Sequence, residues 1–304
     1  IMGHIPRLLL DSAREHESFL KRHGRPTSLY NSIKYSSHQE FTKGSFGYQW
    51  TKFPDMVKEF REDFLKFIYP VRPSFLKGKL ILDAGCGFGR HLYYAASFGA
   101  TAIGMDLSKA VDEAWKNTRT QPRAYIVQGD IYNPPFREEI FDYVYSLGVL
   151  HHLPVPEEGL HALLSLLKPQ GTLSIWVYSK SRKVANALLE MVRFLARRLP
   201  YPLMNALSFM MASLDWGIFI FPYKVLRKYG LMERFAFPRV MLYARYPFVV
   251  CWTDWFDRLS APIRFYYDKK DLQGWARRAR LKNVHISPTG LYGWRLRGRK
   301  RKGS

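Results

Sequence analysis

Two hydrophobic periods take turns along the middle of the chain. Residues 79–83, Lys-Leu-Ile-Leu-Asp, are a short apolar run that stops at glycines, which predicts a buried strand. Residues 88–98 follow with helical spacing and end at Gly99. A second strand is predicted at 101–106, then a helix capped by Ser108 and running to about Asn117. Strands at 124–128 and 141–146, a helix at 157–167 stopped by Lys168-Pro169 and Gly171, and a strand at 172–178 complete the series. Strands separated by helices of about ten residues predict a parallel sheet covered on both faces. After a long interruption the pattern returns as a helix at 269–281 and strands at 284–287 and 292–296. The interruption, 180–260, is rich in Leu, Met, Phe and Tyr and has no strand alternation.

Composition refines this picture. The chain has 304 residues, 47% of them apolar and 16% aromatic, ample for a core. Cys86 and Cys251 are too few for a disulfide framework and no C-x-x-C pair is present, so no structural metal is expected and a reducing cytoplasm is the simplest setting. Leu8-Leu9-Leu10, followed at once by charges, is too short for a signal peptide. The formal net charge of +22 implies an anionic partner: nucleic acid, membrane surface or acidic substrate. Its distribution is uneven. Residues 1–179 carry 21 basic and 18 acidic side chains, whereas 180–304 carry 26 and 7. The near-neutral middle and the basic second half mark a domain boundary.

The strongest motif is Leu80-Ile-Leu-Asp-Ala-Gly-Cys-Gly-Phe-Gly-Arg90, set between strand and helix. Glycines at 85, 87 and 89 allow a ligand to approach the backbone closely. A dinucleotide loop reads G-x-G-x-x-G, and here Arg90 occupies the last position, which weighs against a nicotinamide or flavin. With Asp83 ahead of it, the loop resembles the cofactor loop of class I S-adenosylmethionine-dependent methyltransferases, in the small-molecule branch of the methyltransferase-11 type. The resemblance continues in register over 79–178 through Gln128-Gly-Asp-Ile131, Phe141 to Pro154 and Leu167-Lys-Pro-Gln-Gly-Thr-Leu173.

The resemblance implies a Rossmann-like, seven-stranded, mostly parallel α/β sheet with helices on both faces, and S-adenosylmethionine as cofactor. It assigns cofactor contacts to Asp83, Gly85, Cys86, Gly87, Asp106, Leu107, Asp130, Ile131 and Leu147, with Asp106 on the ribose hydroxyls and Asp130 on the adenine amine. Asn133-Pro-Pro-Phe136 resembles the target-binding motif of amino methyltransferases, but it follows the third strand rather than the fourth and reads as a connecting segment. His151 and His152 fall at the rim where open α/β sheets bind ligands, so either is a candidate general base, His152 ahead of His151. Capping the turn or touching the cofactor is the alternative role.

The chain is thus expected to comprise an N-terminal helical cover (1–78), the cofactor-binding core (79–179), a lid or substrate insertion (180–260) and a C-terminal completion of the sheet with a basic tail (261–304). Tyr48 and Trp50, in an aromatic segment before the core, and Tyr266 and Tyr267, before the late helix, are candidate substrate-pocket residues. The apolar stretch 203–222 has the length of a membrane span, but Asp215 inside it costs about 2.5–3.5 kcal/mol on insertion scales. It reads as a helical cap buried against the core. The alternative is a lid resting on an anionic membrane face, which would place the protein peripherally on the inner leaflet. The leading functional expectation is O-methylation of a small or lipid-like acceptor under an aromatic lid. An RNA methyltransferase using the basic half, and a silent binding protein of the same fold, are the competing readings.

Overall fold

The computed structural model describes residues 4–9, 37–230, 237–290 and 292–302. The parts of the expected cover at 1–3 and 10–36, and of the insertion at 231–236, lie outside the described residues. The chain divides into two compact units, one of Ile1–Pro54, Phe60–Arg182 and Ile263–Ser304, the other of Asp55–Glu59 and Lys183–Pro262.

The first unit is built on a seven-stranded sheet. Its elements are α1 (Ser37–Lys52), α2 (Phe60–Ile68), α3 (Pro73–Leu76), β1 (Leu80–Ala84), α4 (Arg90–Ser97), β2 (Thr101–Asp106), α5 (Ala110–Thr118), β3 (Ala124–Gln128), β4 (Phe141–Leu147), a 3-10 turn (Leu150–His152), α6 (Pro156–Ser165) and β5 (Leu167–Tyr178). After the second unit come α12 (Lys269–Arg278), β6 (Lys282–Pro288) and β7 (Gly293–Arg299). The strand order is β3-β2-β1-β4-β5-β7-β6. The first five strands are parallel; β7 lies antiparallel to both β5 and β6. The five parallel strands are those the strand–helix alternation predicts, and the mostly parallel seven-stranded sheet is the one the family resemblance implies. The order reverses direction at β1 and β4, so the C-terminal ends of these two strands open onto one crevice.

Apolar clusters fill both faces of the sheet. One gathers Leu82, Val144, Leu160, Leu163, Ile175, Leu272, Trp275 and Leu296, the other Phe64, Ile68, Ile81, Leu92, Tyr143 and Tyr145. Burying a leucine of this kind contributes about 1.5–3 kcal/mol. Phe136 of the Asn-Pro-Pro-Phe segment packs edge-on to Phe141 beside the first cluster, in line with a connecting role.

Several boundaries differ from the sequence expectation, three of them with a clear physical reason. The helix after β2 begins at Ala110 with Lys109 as N-cap; Ser108, one residue earlier, still accepts from the Ala110 N–H. β5 starts at Leu167, and its pairing with β4 shifts register before Thr172, around Gln170 with φ 69°. β7 continues to Arg299, so most of the expected basic tail is a strand inside the sheet. Arg295 donates to the carbonyls of Lys66 and Pro288, and Lys300 to the Leu167 carbonyl and Glu139. The alternation Arg-Leu-Arg-Gly-Arg satisfies a strand as well as a charge run, and the sheet supplies the partners.

The second unit is helical: α7 (Lys183–Ala196), α8 (Tyr201–Asp215), a π-helical turn (Trp216–Ile220), α9 (Phe221–Lys228), α10 (Pro238–Tyr243) and α11 (Phe248–Ser260). α8, the turn and α9 run on as one helix over Tyr201–Lys228, with α8 packed along α11. Ala212, Ile220, Tyr243, Tyr246 and Cys251 form its small apolar core. A cap buried throughout does not describe this helix: only 22% of its most apolar stretch is buried.

Candidate active site

The glycine loop leaves β1 and turns into α4. Gly85, Gly87 and Gly89 all have positive φ (84°, 53° and 85°). A Cβ at Gly85 would fall 2.4 Å from Val149 Cγ2, so the close approach of the loop after β4 demands glycine there. At Gly89 a Cβ would press on Ala114, which is how α4 and α5 draw together. Gly87 faces Trp50, whose indole Nε1 would be 3.2 Å from an added Cβ.

Two carboxylates sit under the loop. Asp106 Oδ2 accepts from the Gly87 N–H at 2.9 Å, and its Oδ1 accepts from the Ser108 N–H at 2.9 Å and hydroxyl at 2.7 Å. Burial raises its pKa against these three donors. Asp83 is 2% exposed, and no donor meets its Oδ2 in hydrogen-bond geometry. Burial, with the Asp106 charge adding to it, pushes the Asp83 carboxyl up to about 8. Cys86 is buried beneath the loop against Gly104, its thiol pushed up by desolvation, so it packs rather than reacts. Leu107 offers its carbonyl to Gln128 Nε2, while Ile131 and Leu147 are buried on the two core clusters.

Helix α1 reaches across the strand ends with one face, at the spacing i, i+7, i+11. Gln39 Nε2 donates to Asp130 Oδ2 at 3.2 Å, and Asp130 Oδ1 accepts from the Tyr132 N–H. Phe46 meets the His152 ring at 5.0 Å between centroids, and Trp50 meets Phe88 at 5.0 Å with the Arg90 guanidinium over its ring. One helical face therefore visits the ends of β3, β4 and β1 in turn. Trp50 lies on the glycine loop. Tyr48, half-buried, stands two residues earlier and so on a different side of the helix.

The histidines occupy the 3-10 turn after β4 and are both buried. His152 Nδ1 lies 2.6 Å from the Ile263 carbonyl, which can only accept; Nδ1 therefore carries the proton and Nε2 is the basic nitrogen. His151 packs 3.9 Å from the Tyr178 ring and 4.1 Å from His152, and neither of its nitrogens meets a partner. Burial, then the neighbouring His152 and Arg264, hold its pKa well below the ordinary value, so it stays neutral. Tyr266 stacks on Tyr178, and Arg264 lies over the Tyr178 ring at 4.2 Å. Tyr267 turns the other way, onto Trp275 and the core, while its backbone exchanges hydrogen bonds with Tyr178 and Lys180. The structure thus gathers His151, His152 and Tyr266 into one cluster and leaves Tyr267 out of it.

Gln39, Phe46, Arg90, Val149, Tyr178 and Arg264 escaped the site assignment made from sequence. Tyr178 was within reach, because the end of a parallel strand beside the switch point is a ligand position. Gln39 carried no local signal.

A family model described as a methyltransferase domain matches residues 82–175. The first unit contains a class I methyltransferase domain. An uncharacterized Synechococcus protein is 34% identical over 37% of this chain and 30% of its own length. A tRNA U34 carboxymethyltransferase of Idiomarina loihiensis is 34% identical over 32% of each chain. Relatives of similar closeness bear the names of sterol and ubiquinone methyltransferases. The chain thus spans about a third of the length of the first of these relatives. A structure of magnesium protoporphyrin IX methyltransferase from Synechocystis PCC 6803 shares the fold, with a TM-score of 0.50, 14% identity, and coverage of 88% of this chain and all of the other.

Proposed function

We propose that the protein transfers a methyl group from S-adenosylmethionine to an oxygen of a small or lipid-like acceptor. The observation that carries the cofactor half is the pairing of a glycine loop at positive φ with the buried Asp83 carboxyl beneath it, whose Oδ2 has no hydrogen-bond partner and which a ligand ammonium would ionise. An acceptor atom that costs free energy to bury is a fit for a ligand ammonium. Asp106 and Asp130 supply acceptors for ribose hydroxyls and an adenine amine, with Leu107, Ile131 and Leu147 as apolar walls and Trp50 over the loop. When bound, the cofactor supplies an electrophilic methyl on a sulfonium.

The acceptor half rests on the aromatic cluster beside His152. Phe46, Tyr178 and Tyr266 present ring faces, and His152 Nε2 is set by its Nδ1–H bond to receive a proton from an acceptor hydroxyl. The nearby neutral His151 adds no charge that would lower the basicity of that nitrogen. The setting is cytoplasmic in this reading. The strand placement of Arg295, Arg297 and Arg299 argues against an RNA footprint at the C-terminus.

Calorimetry with S-adenosylmethionine tests the cofactor half: Asp106→Ala should weaken binding by about a hundredfold, and absence of binding by the unaltered chain would overturn the whole reading. His152→Ala should lower turnover and remove an acid limb from its pH profile. Methyl transfer to bulk RNA, in place of small hydroxyl acceptors, would refute the acceptor class.

A further inference from the structure

We infer that the helical unit Lys183–Pro262 is a monotopic membrane-docking unit, lying in the plane of an anionic phospholipid surface with its long helix embedded at the headgroup boundary. The inference is independent of the methyl-transfer reading.

Its polarity is arranged opposite to that of a water-facing helical unit. Along Tyr201–Lys228, Met210, Leu214, Ile218, Phe221 and Val225 recur every three or four residues, with Leu203 seven residues before them, and all are exposed, Leu214 at 52% and Ile218 at 59%. The inward positions of α8 are Met204, Ser208, Ala212 and Asp215, mostly small or polar. Ser208 and Asp215 are held there by Trp252 Nε1 and Trp255 Nε1 of α11. A second run of exposed apolar side chains lies on α7, with Val184, Leu188, Met191 and Leu195 at 60–75%. Two exposed apolar runs of this length mark a docking face.

Charge selects the occupant. Among the described residues of 183–262, Lys183, Arg198, Lys224, Arg227, Lys228 and Arg245 are exposed, whereas Glu190, Asp215, Asp254 and Asp257 are half-buried. Asp215 turns inward onto Arg239 and Asp254 onto Arg258, while Glu190 pairs with the buried Arg193 and keeps its own side chain 41% exposed. An apolar face whose exposed charges, among the described residues, are mostly cationic complements anionic lipid headgroups over acyl chains.

Topology excludes a span. At 1.5 Å per residue the long helix measures about 42 Å, enough to cross a hydrocarbon core of about 30 Å. A single crossing would strand the returning chain on the far side. Yet Arg182 and Ile263 belong to the same compact unit, and the Lys180 N–H bonds the Tyr267 carbonyl. Among the described residues no second helix has the length to cross back. Basic side chains at both ends of the helix, Arg198 before it and Lys224, Arg227 and Lys228 at its end, meet one headgroup layer together only if the helix lies flat.

The test is flotation of the full chain with vesicles of phosphatidylglycerol and phosphatidylcholine in equal parts, beside vesicles of phosphatidylcholine alone. The protein should float with the anionic vesicles, and raising the salt should weaken but not abolish this. Leu214→Ser with Ile218→Ser, both on the solvent side of the helix, should lower vesicle affinity by roughly tenfold or more. Their circular dichroism and S-adenosylmethionine calorimetry should remain those of the unaltered chain, which separates this result from any failure of the functional reading. Protein left at the bottom at low salt, binding unchanged in the double variant, or a stable dimer in buffer that buries this face and ignores vesicles would each overturn the inference.

Discussion

Leu163 and Leu214 are the same side chain on two helices, and the molecule treats them in opposite ways. Leu163 on α6 is fully buried among Val144, Leu160 and Leu173, whereas Leu214 on α8 is half exposed while Ser208 and Ala212 of the same helix are buried. In the sheet unit the apolar residues are inside and polar groups gather at the strand ends, where burial of Asp83, Asp106 and His151 shifts their proton affinities. In the helical unit ion pairs lie inward and the large apolar side chains lie outward. A hydropathy profile scores both helices as apolar. Only the placement of small and polar residues around the helix tells which face meets its own protein.

The sharpest way to break the contrast is at the glycine loop. Gly85→Ala, with φ 84° and Val149 in the way, should destabilise the chain by about 4 kcal/mol in urea unfolding and abolish cofactor binding; a neutral effect would show the loop to be looser than described. Leu163→Ala should cost about 3 kcal/mol through the cavity it leaves. Asp83→Asn makes a pH-dependent prediction. The carboxyl, ordinarily at 3.8 and raised to about 8, stays protonated in the folded chain after the unfolded chain has ionised, so it drains stability as pH rises across that interval. The amide should therefore raise Tm at pH 8 by about 3 °C or more and change it little at pH 4; an equal shift at both pH values would refute burial as the cause. Smallest of all, Leu214→Ala should move stability by no more than about 0.5 kcal/mol in buffer, although it removes the same atoms as Leu163→Ala.

What was legible in the sequence was whatever local spacing encodes. The five parallel strands, the glycine loop, Asp106 at the end of β2 and the histidine pair after β4 all announce themselves within a dozen residues. What stayed hidden depends on contacts that no period records. The Gln39–Asp130 bond joins residues 91 positions apart, and the Ile263 carbonyl that fixes the tautomer of His152 lies 111 positions away. The arginines of β7 misled for a related reason: a charge run is solvated when it is a tail and bonded when a neighbouring strand pairs with it. The excess charge divides accordingly, 11 basic against 5 acidic residues in 183–262 and 13 against 2 in 263–304, with much of the latter set woven into the sheet unit.

The edges of the sheet have their own consequence. At one margin the N-terminal segment pairs with the last residue of β3, where Gln128 exchanges backbone bonds with Pro6 and Leu8 and Arg7 clamps Gln128 and Asp112. At the other, β6 opens on an irregular register between Lys282 and His285, with Asn283 at φ 51°, and closes on Pro288. The pairing at Gln128, and at β6 the shifted register and the closing Pro288, interrupt the ladder on which strands of separate molecules add. Self-association in concentrated solution is therefore expected through the exposed apolar helices rather than the sheet edges, and light scattering that falls on adding a mild detergent checks it.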